Sequence, residues 1–252
     1  MVALRGASGG DGHGQQRGSG VRFTRSLIKA AFRARFDAYP DWKIDAYENA
    51  WRLAASAFDQ TNPSRTDFDA LYAELKGYWQ VFRNLRGGTA LSAKAAYDLL
   101  GGLPPEAKRL RLSKLTAGHD ALLRQVIGAA KKIKTGKGGV SLMAMSKFLH
   151  FWNPKLFVIV DRWAVADNVF RRLWIRRTLP ADFAADADHY AELLQWAAGV
   201  LRGNPAIVKE FAAYTRSAAQ PKKLPSGWYR YEATAVEWFL EGVVEMPPCG
   251  VS

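Results

Sequence analysis

The spacing of apolar residues constrains the fold of this chain more than any other feature. From Asp41 onward apolar residues recur three or four positions apart, as in the stretch DWKIDAYENAWRLAASAF. This spacing places them on one face of an amphipathic helix. Gly101-Gly102 and Pro104-Pro105 interrupt the pattern where helices are expected to end. The sequence therefore predicts an all-α fold of about eight to ten helices.

The composition divides the chain into tails and a helical domain. Residues 1–20 contain seven Gly, and they are predicted to be disordered because such a segment cannot bury a core. Residues 21–246 are expected to form one helical domain, with two lobes at 21–105 and 106–246 as the alternative. Residues 247–252 are expected to form a short tail. Hydrophobic residues make up 48% of the 252, which is enough for a substantial core.

Several classes of protein are excluded by composition. Cys249 is the one cysteine, so no disulfide can form within the chain, which suits a reducing compartment. No apolar run reaches the roughly 20 residues that cross a bilayer, and no signal peptide is recognisable. A cytoplasmic location without a membrane partner is therefore expected. The four His show no metal-ligand spacing, so no metal or other cofactor is expected. The sequence leaves the oligomeric state open.

Positive charge is concentrated in the middle of the chain. Residues 101–180 contain 16 Lys and Arg but 4 Asp and Glu, a balance of +12 within a total of +13. Such a concentration indicates a polyanionic partner, most often nucleic acid. The alternatives are a solvated basic face, an anionic membrane surface and another acidic partner.

The stretch KKIKTGKGGVS, residues 131–141, predicts a Gly-rich hairpin between two helices. A Walker loop follows a strand, whereas here the Lys-rich end of a helix precedes the glycines. The N–H groups at the start of the second helix suit a phosphate, although a plain helix connector is the alternative. The candidate nucleic-acid contacts in the hairpin are Lys131, Lys132, Lys134, Lys137, Gly138 and Gly139.

The next stretch, SLMAMSKFLHFWNPKLFVIVDRWAV, contains the candidate catalytic residues. A helix carrying Lys147 and His150 ends at Pro154, and the apolar, strand-like residues 156–160 then lead to Asp161. This order of helix, hairpin, helix, Pro turn, apolar segment and Asp resembles the helix-hairpin-helix DNA glycosylases. It is also similar to uncharacterised bacterial families related to the 8-oxoguanine glycosylases. The resemblance covers roughly residues 120–175.

The resemblance implies a glycosylase-like all-α fold, DNA rather than RNA as the partner, and removal of a damaged or mismatched base. Asp161 would be the catalytic carboxylate, with pure helix capping as its alternative role. Family members that cleave the strand have a Lys just after the hairpin, whereas Ser141 follows Val140 here. The nearest candidate nucleophile is Lys147, whose alternative is an exposed or snorkelling lysine.

An extruded base needs aromatic or apolar walls, and the candidates are His150, Trp152 and Trp163. His150 has an alternative role as a hydrogen-bonded packing residue. Arg171 and Arg172 suit bidentate phosphate contacts, or alternatively the negative end of a helix dipole. Three hypotheses stay open at this point. They are a glycosylase-like enzyme, a non-catalytic nucleic-acid-binding module and a protein-interaction module on the same scaffold.

Overall fold

Helices make up most of this protein, as the apolar periodicity predicts. The computed structural model describes residues 22–38, 41–82, 88–136, 139–160, 187–216 and 231–245. Ten α-helices lie within these ranges: α1 Arg25–Ala38, α2 Asp41–Ala57, α3 Arg65–Gly77, α4 Ala93–Gly101, α5 Pro105–Arg109, α6 Asp120–Ala130, α7 Leu142–Trp152, α8 Tyr190–Gly203, α9 Ala206–Thr215 and α10 Glu232–Glu245. The all-α class is therefore confirmed. None of these helices has the length and apolar character needed to cross a membrane.

A small antiparallel sheet accompanies the helices. Its strands are β1 Thr89–Ala90, β2 Lys134–Gly136 and β3 Gly139–Val140, in the order β1-β2-β3. β2 and β3 form the hairpin expected between α6 and α7, with Thr135 opposite Val140. The pairing of β1 with β2 was not predicted, because two residues are too few to show an alternating pattern.

The first and last described helices pack closely together. Gly242 of α10 faces the main chain of Ala31 in α1, where a side chain would collide. Around this contact the rings of Phe36 and Trp238 lie 4.7 Å apart, and Phe211 of α9 lies 6.3 Å from Trp238. The N-terminal and C-terminal helices thus close one side of a shared aromatic core.

Helix α7 lies at the centre of the described fold. Ten of its eleven residues are buried, including the polar Ser146, Lys147 and His150. Ser141 caps the helix, and its hydroxyl accepts the N–H of Ala144 at 3.3 Å. Because buried polar groups need partners, this helix determines the polar contacts within the core.

Candidate functional site

Residues 156–160, which lead to Asp161, are buried and follow the C-terminus of α7. Each of their side chains is at most 2% exposed. Residues 157–160 have no regular secondary structure, so the apolar run is a buried segment and not a strand. A buried irregular segment has no ladder to satisfy its backbone groups, which therefore need partners elsewhere.

Polar side chains of two helices provide those partners. The three hydrogen bonds join Val160 N–H to Ser146 Oγ at 3.0 Å, Phe157 C=O to His150 Nδ1 at 2.7 Å, and Val158 C=O to Tyr190 OH at 2.6 Å. Ser146 and His150 belong to α7, and Tyr190 is the first residue of α8. The main chain is consequently fixed against both helices up to the residue before Asp161.

Six of the predicted site residues lie outside the residues that the structure describes: Lys137, Gly138, Asp161, Trp163, Arg171 and Arg172. Their roles stay predictions. The structure does describe the two ends of the hairpin and the whole of α7. The other predicted site residues lie in those two elements: Lys131, Lys132, Lys134 and Gly139 at the hairpin, and Lys147, His150 and Trp152 in α7.

The lysines of the hairpin differ in exposure. Lys132 is exposed, and the partly exposed Lys131 forms an ion pair with Asp188. Lys134 is 7% exposed, and its Nζ donates to the carbonyl of Val81 at 3.0 Å. Lys134 therefore holds β2 against the residues after α3 and does not present its amine for a phosphate contact. Gly139 lies in β3, next to the start of α7.

Lys147 lies in the core, contrary to the expectation of an accessible nucleophile or a snorkelling lysine. It is 5% exposed, and its Nζ lies 5.3 Å from the ring centroid of Trp79, a cation–π distance. It also interacts electrostatically with the Glu237 carboxyl group. Lys147 lines neither the pocket at Arg124 and Glu192 nor the pocket at Trp51 and Trp152.

His150 is fully buried, and both of its ring nitrogens have polar neighbours. Nδ1 lies beside the Phe157 carbonyl, which can only accept, so the proton is assigned to Nδ1. Nε2 is then an acceptor for the hydroxyls of Tyr47 at 3.3 Å and Thr234 at 3.4 Å. Tyr47 OH is also 3.3 Å from Glu237 Oε2. This chain of contacts joins α7, α2 and α10.

Burial controls the protonation of the titratable groups in this series of contacts, His150 and Glu237. Desolvation lowers the pKa of His150 to about 4, although the hydrogen bond to Phe157 opposes the change. Desolvation and the neighbouring Glu241 carboxylate raise the pKa of Glu237 well above its usual value. Both groups therefore favour their neutral forms. The Tyr47 hydroxyl has one proton and donates it to Glu237 Oε2 while that carboxyl group is ionised. Once Glu237 is protonated it can donate to Tyr47, whose own proton is then available to His150 Nε2.

The geometry of His150 is that of a packing residue, the alternative that its sequence position left open. Neither Tyr47, which contacts His150, nor Glu237, which contacts Tyr47, was among the predicted site residues. Glu237 and Glu241 do carry a signal, since two carboxylates at i and i+4 in the apolar run ATAVEWFLEG place charge on one helix face. Tyr47 carries no such signal in the sequence, because it fits the apolar spacing of α2 like any other core residue.

Trp152 is the one base-pocket candidate that reaches a cleft in the described structure. It is 4% exposed, and it lines a cleft of about 350 Å³ together with Trp51 and Phe58. Lys108, which was not predicted as a site residue, also lines this cleft. No feature of its local sequence, PPEAKRLRL, distinguishes it from a surface lysine.

No protein-family model matches the chain, and comparisons with curated proteins and with solved structures give no significant match. Among the described residues, no group of three or more His, Cys, Asp or Glu side chains is arranged to hold a metal ion.

Proposed function

We propose that this protein binds DNA and removes a base from it, with Asp161 as the carboxylate that acts at the sugar. The observation that carries this proposal is the anchoring of residues 156–160. Ser146, His150 and Tyr190 each use a polar side chain to hold the backbone of that short segment. Catalytic groups need such support, because a misplacement of about 1 Å can cost a hundredfold in rate.

A carboxylate at this position has two roles available in base removal. As the bond between the base and C1′ breaks, positive charge develops on the sugar, and a nearby carboxylate stabilises it. The same group can accept a proton from the water that adds to C1′. Lys147 has no place in this chemistry, since its amine lies in the core against Trp79. We therefore expect hydrolysis without an imine intermediate.

The hairpin between α6 and α7 supports DNA as the partner. Lys131 and Lys132 precede it, and Ser141 begins α7 directly after it. The hydroxyl of Ser141 already binds the N–H of Ala144, which leaves the N–H groups of the first two helical residues for a phosphate. The concentration of positive charge in residues 101–180 would add a salt-dependent attraction to the DNA backbone.

The experiment is a base-release assay on duplex oligonucleotides that carry a panel of damaged and mismatched bases. Asp161→Asn removes one charge at almost constant size and should abolish release. Asp69→Asn is the matched control, because Asp69 is exposed on α3 and pairs with Arg65 at 2.8 Å. Release that is equal in both variants, or absent with every substrate, would contradict base removal by Asp161.

A second candidate is nucleic-acid binding without catalysis. It is favoured by the packed core around α7, where Lys147 and His150 are 5% and 0% exposed and are thus closed to a ligand from solvent. In that case the wild type and the Asp161→Asn variant bind DNA equally and release no base. A protein-interaction module on this scaffold would instead bind no nucleic acid at moderate salt.

A further inference from the structure

A cleft beside the C-terminal end of α7 is lined mainly by aromatic side chains and lysines. Its volume is about 350 Å³, within the range of about 300 to 1,000 Å³ that is typical of small-molecule sites. Five aromatic side chains line it, including Trp51, Phe58, Trp152 and Tyr231, together with the lysines Lys108 and Lys155 and the carboxylate of Asp59. Lys147 and His150 do not line it.

The aromatic walls offer ring faces for stacking. Trp51 and Tyr231 are both partly exposed, and their ring centroids lie 4.4 Å apart. Elsewhere in the lining, Lys108 Nζ lies 4.8 Å from the ring centroid of Phe58 and 5.1 Å from that of Trp152. Stacking on an aromatic side chain favours binding of a nucleobase and accepts any base, because every base has a flat π face.

The two lysines place positive charge in the same cleft. Burial lowers the pKa of Lys108 to about 8, and repulsion from Lys155 contributes to the change. Among the residues that the structure describes, neither lysine forms an ion pair with a carboxylate. An anion bound between them would relieve the repulsion and favour the charged form of Lys108.

The lysines are held in a fixed relationship by the backbone around Asn153. The Asn153 side chain donates to the carbonyl of Ala107 at 2.8 Å and accepts the N–H of Lys155 at 3.1 Å. The N–H of Leu112 donates to the carbonyl of Lys155 at 2.9 Å. The end of α5 and the turn after α7 are thereby joined, so little ordering is needed when a ligand binds.

We propose that this cleft binds a nucleotide, with the base stacked on Trp51 or Tyr231 and the phosphate held by Lys108 and Lys155. A planar ring joined to an anion matches aromatic faces beside two lysines that form no ion pair with a carboxylate of the described residues. The ligand is either a free mononucleotide or the terminal nucleotide of a single strand. None of these contacts involves Asp161 or the hairpin, so nucleotide binding here does not depend on base removal.

The experiment is calorimetric titration of the full chain with four probes: adenosine 5′-monophosphate, adenosine, inorganic phosphate and a 5′-phosphorylated single-stranded oligonucleotide. Adenosine 5′-monophosphate should bind saturably and more tightly than adenosine or phosphate. Lys155→Glu, at an exposed position, should weaken this binding by about tenfold or more. Lys209→Glu, an equal change at an exposed position on α9, should leave it unchanged.

The dependence on pH provides a second readout. The affinity for adenosine 5′-monophosphate should fall as the pH rises above about 8, where Lys108 loses its charge, and Lys108→Met should remove most of this dependence.

The comparison of the two nucleotide probes identifies the ligand. Tighter binding of the oligonucleotide would indicate the end of a single strand, and tighter binding of the mononucleotide would indicate a free nucleotide. The proposal is overturned if neither nucleotide binds, or if Lys155→Glu and Lys209→Glu bind equally. Asp161→Asn should bind like the wild type, which separates this result from the base-release assay.

Discussion

The Nδ1 atom of His150 and the carbonyl oxygen of Phe157 lie 2.7 Å apart, and this hydrogen bond ties the centre of α7 to the segment that leads to Asp161. The bond connects a helical residue to an irregular one that is seven positions later in the chain. Its strength depends on a neutral, fully buried imidazole whose other nitrogen lies near Tyr47 and Thr234. Stability, pH response and the position of residues 156–160 are therefore coupled through one side chain.

Replacing His150 by Ala should destabilise the fold by about 2 to 4 kcal/mol, because it leaves a cavity and an unpaired carbonyl at Phe157. Urea denaturation followed by circular dichroism measures the loss. His119→Ala is the comparison, since His119 is partly exposed and takes part only in the local cap with Thr116. That variant should lose about 1 kcal/mol or less. Equal losses would show that His150 has no special role in the core.

The stability should fall as the solution becomes acidic, and His150 should contribute to the fall. Its pKa is about 4 in the folded protein against a usual 6.5, so between these values the unfolded chain binds more protons. The free energy of unfolding therefore decreases as the pH falls through this range, by about 3 kcal/mol from this residue. His150→Gln, which cannot titrate, should show a smaller decrease in urea titrations at about pH 7 and pH 4. An unchanged decrease would assign the acid sensitivity to other groups.

Glu237 should have the opposite effect as the pH rises. Burial and Glu241 raise its pKa, so the folded protein holds a proton that the unfolded chain has lost. Stability from this group is present below the ordinary carboxyl pKa and is lost as the pH rises through the raised pKa. Glu237→Gln imitates the protonated form and should reduce this loss in thermal melting. Glu48→Gln, at an exposed position of α2, should melt like the wild type at each pH.

Replacing each of two helical glycines by Ala should change the stability of the fold in opposite directions. A Cβ at Gly242 would collide with the Ala31 carbonyl and lie 3.1 Å from Arg35 Cβ, so Gly242→Ala must separate α10 from α1. We expect a loss of about 2 to 3 kcal/mol. Gly128 is exposed in α6 with nothing within 4 Å of an added Cβ, so Gly128→Ala should gain about 0.5 to 1 kcal/mol. Melting temperatures of the pair test the contact between the first and last described helices.

Charge reversal at the hairpin should weaken DNA binding in a way that depends on salt. Lys132 is exposed just before β2, so Lys132→Glu should lower affinity and reduce the slope of log affinity against log salt by about one. Lys209→Glu has the same charge change on α9 and should alter the slope much less. Fluorescence anisotropy with a labelled duplex at several salt concentrations gives both slopes. Identical slopes for the two variants would place the DNA-binding surface elsewhere.

The local sequence was enough to predict which segments become helices. Apolar spacing and chain breakers act within a few residues, so the helices that end near Ala57 and Gly101 and the hairpin before Ser141 were all foreseeable. The same reasoning identified residues 156–160 as an apolar, strand-like run. It did not anticipate that they would lack a strand, because a short apolar run looks the same in a sheet and in an irregular core segment.

The environment of each polar side chain was decided only by tertiary structure. Tyr47 and His150 meet across 103 residues, and Tyr47 and Glu237 across 190. Lys108 lies over Phe58 and Trp152 because Asn153 joins the end of α5 to the end of α7. The sequence by itself determined the helices, the basic central region and the candidate Asp161. Packing over long sequence separations buried Lys147 and Lys134 and built the aromatic cleft, because desolvation and contact depend on neighbours that periodicity cannot identify.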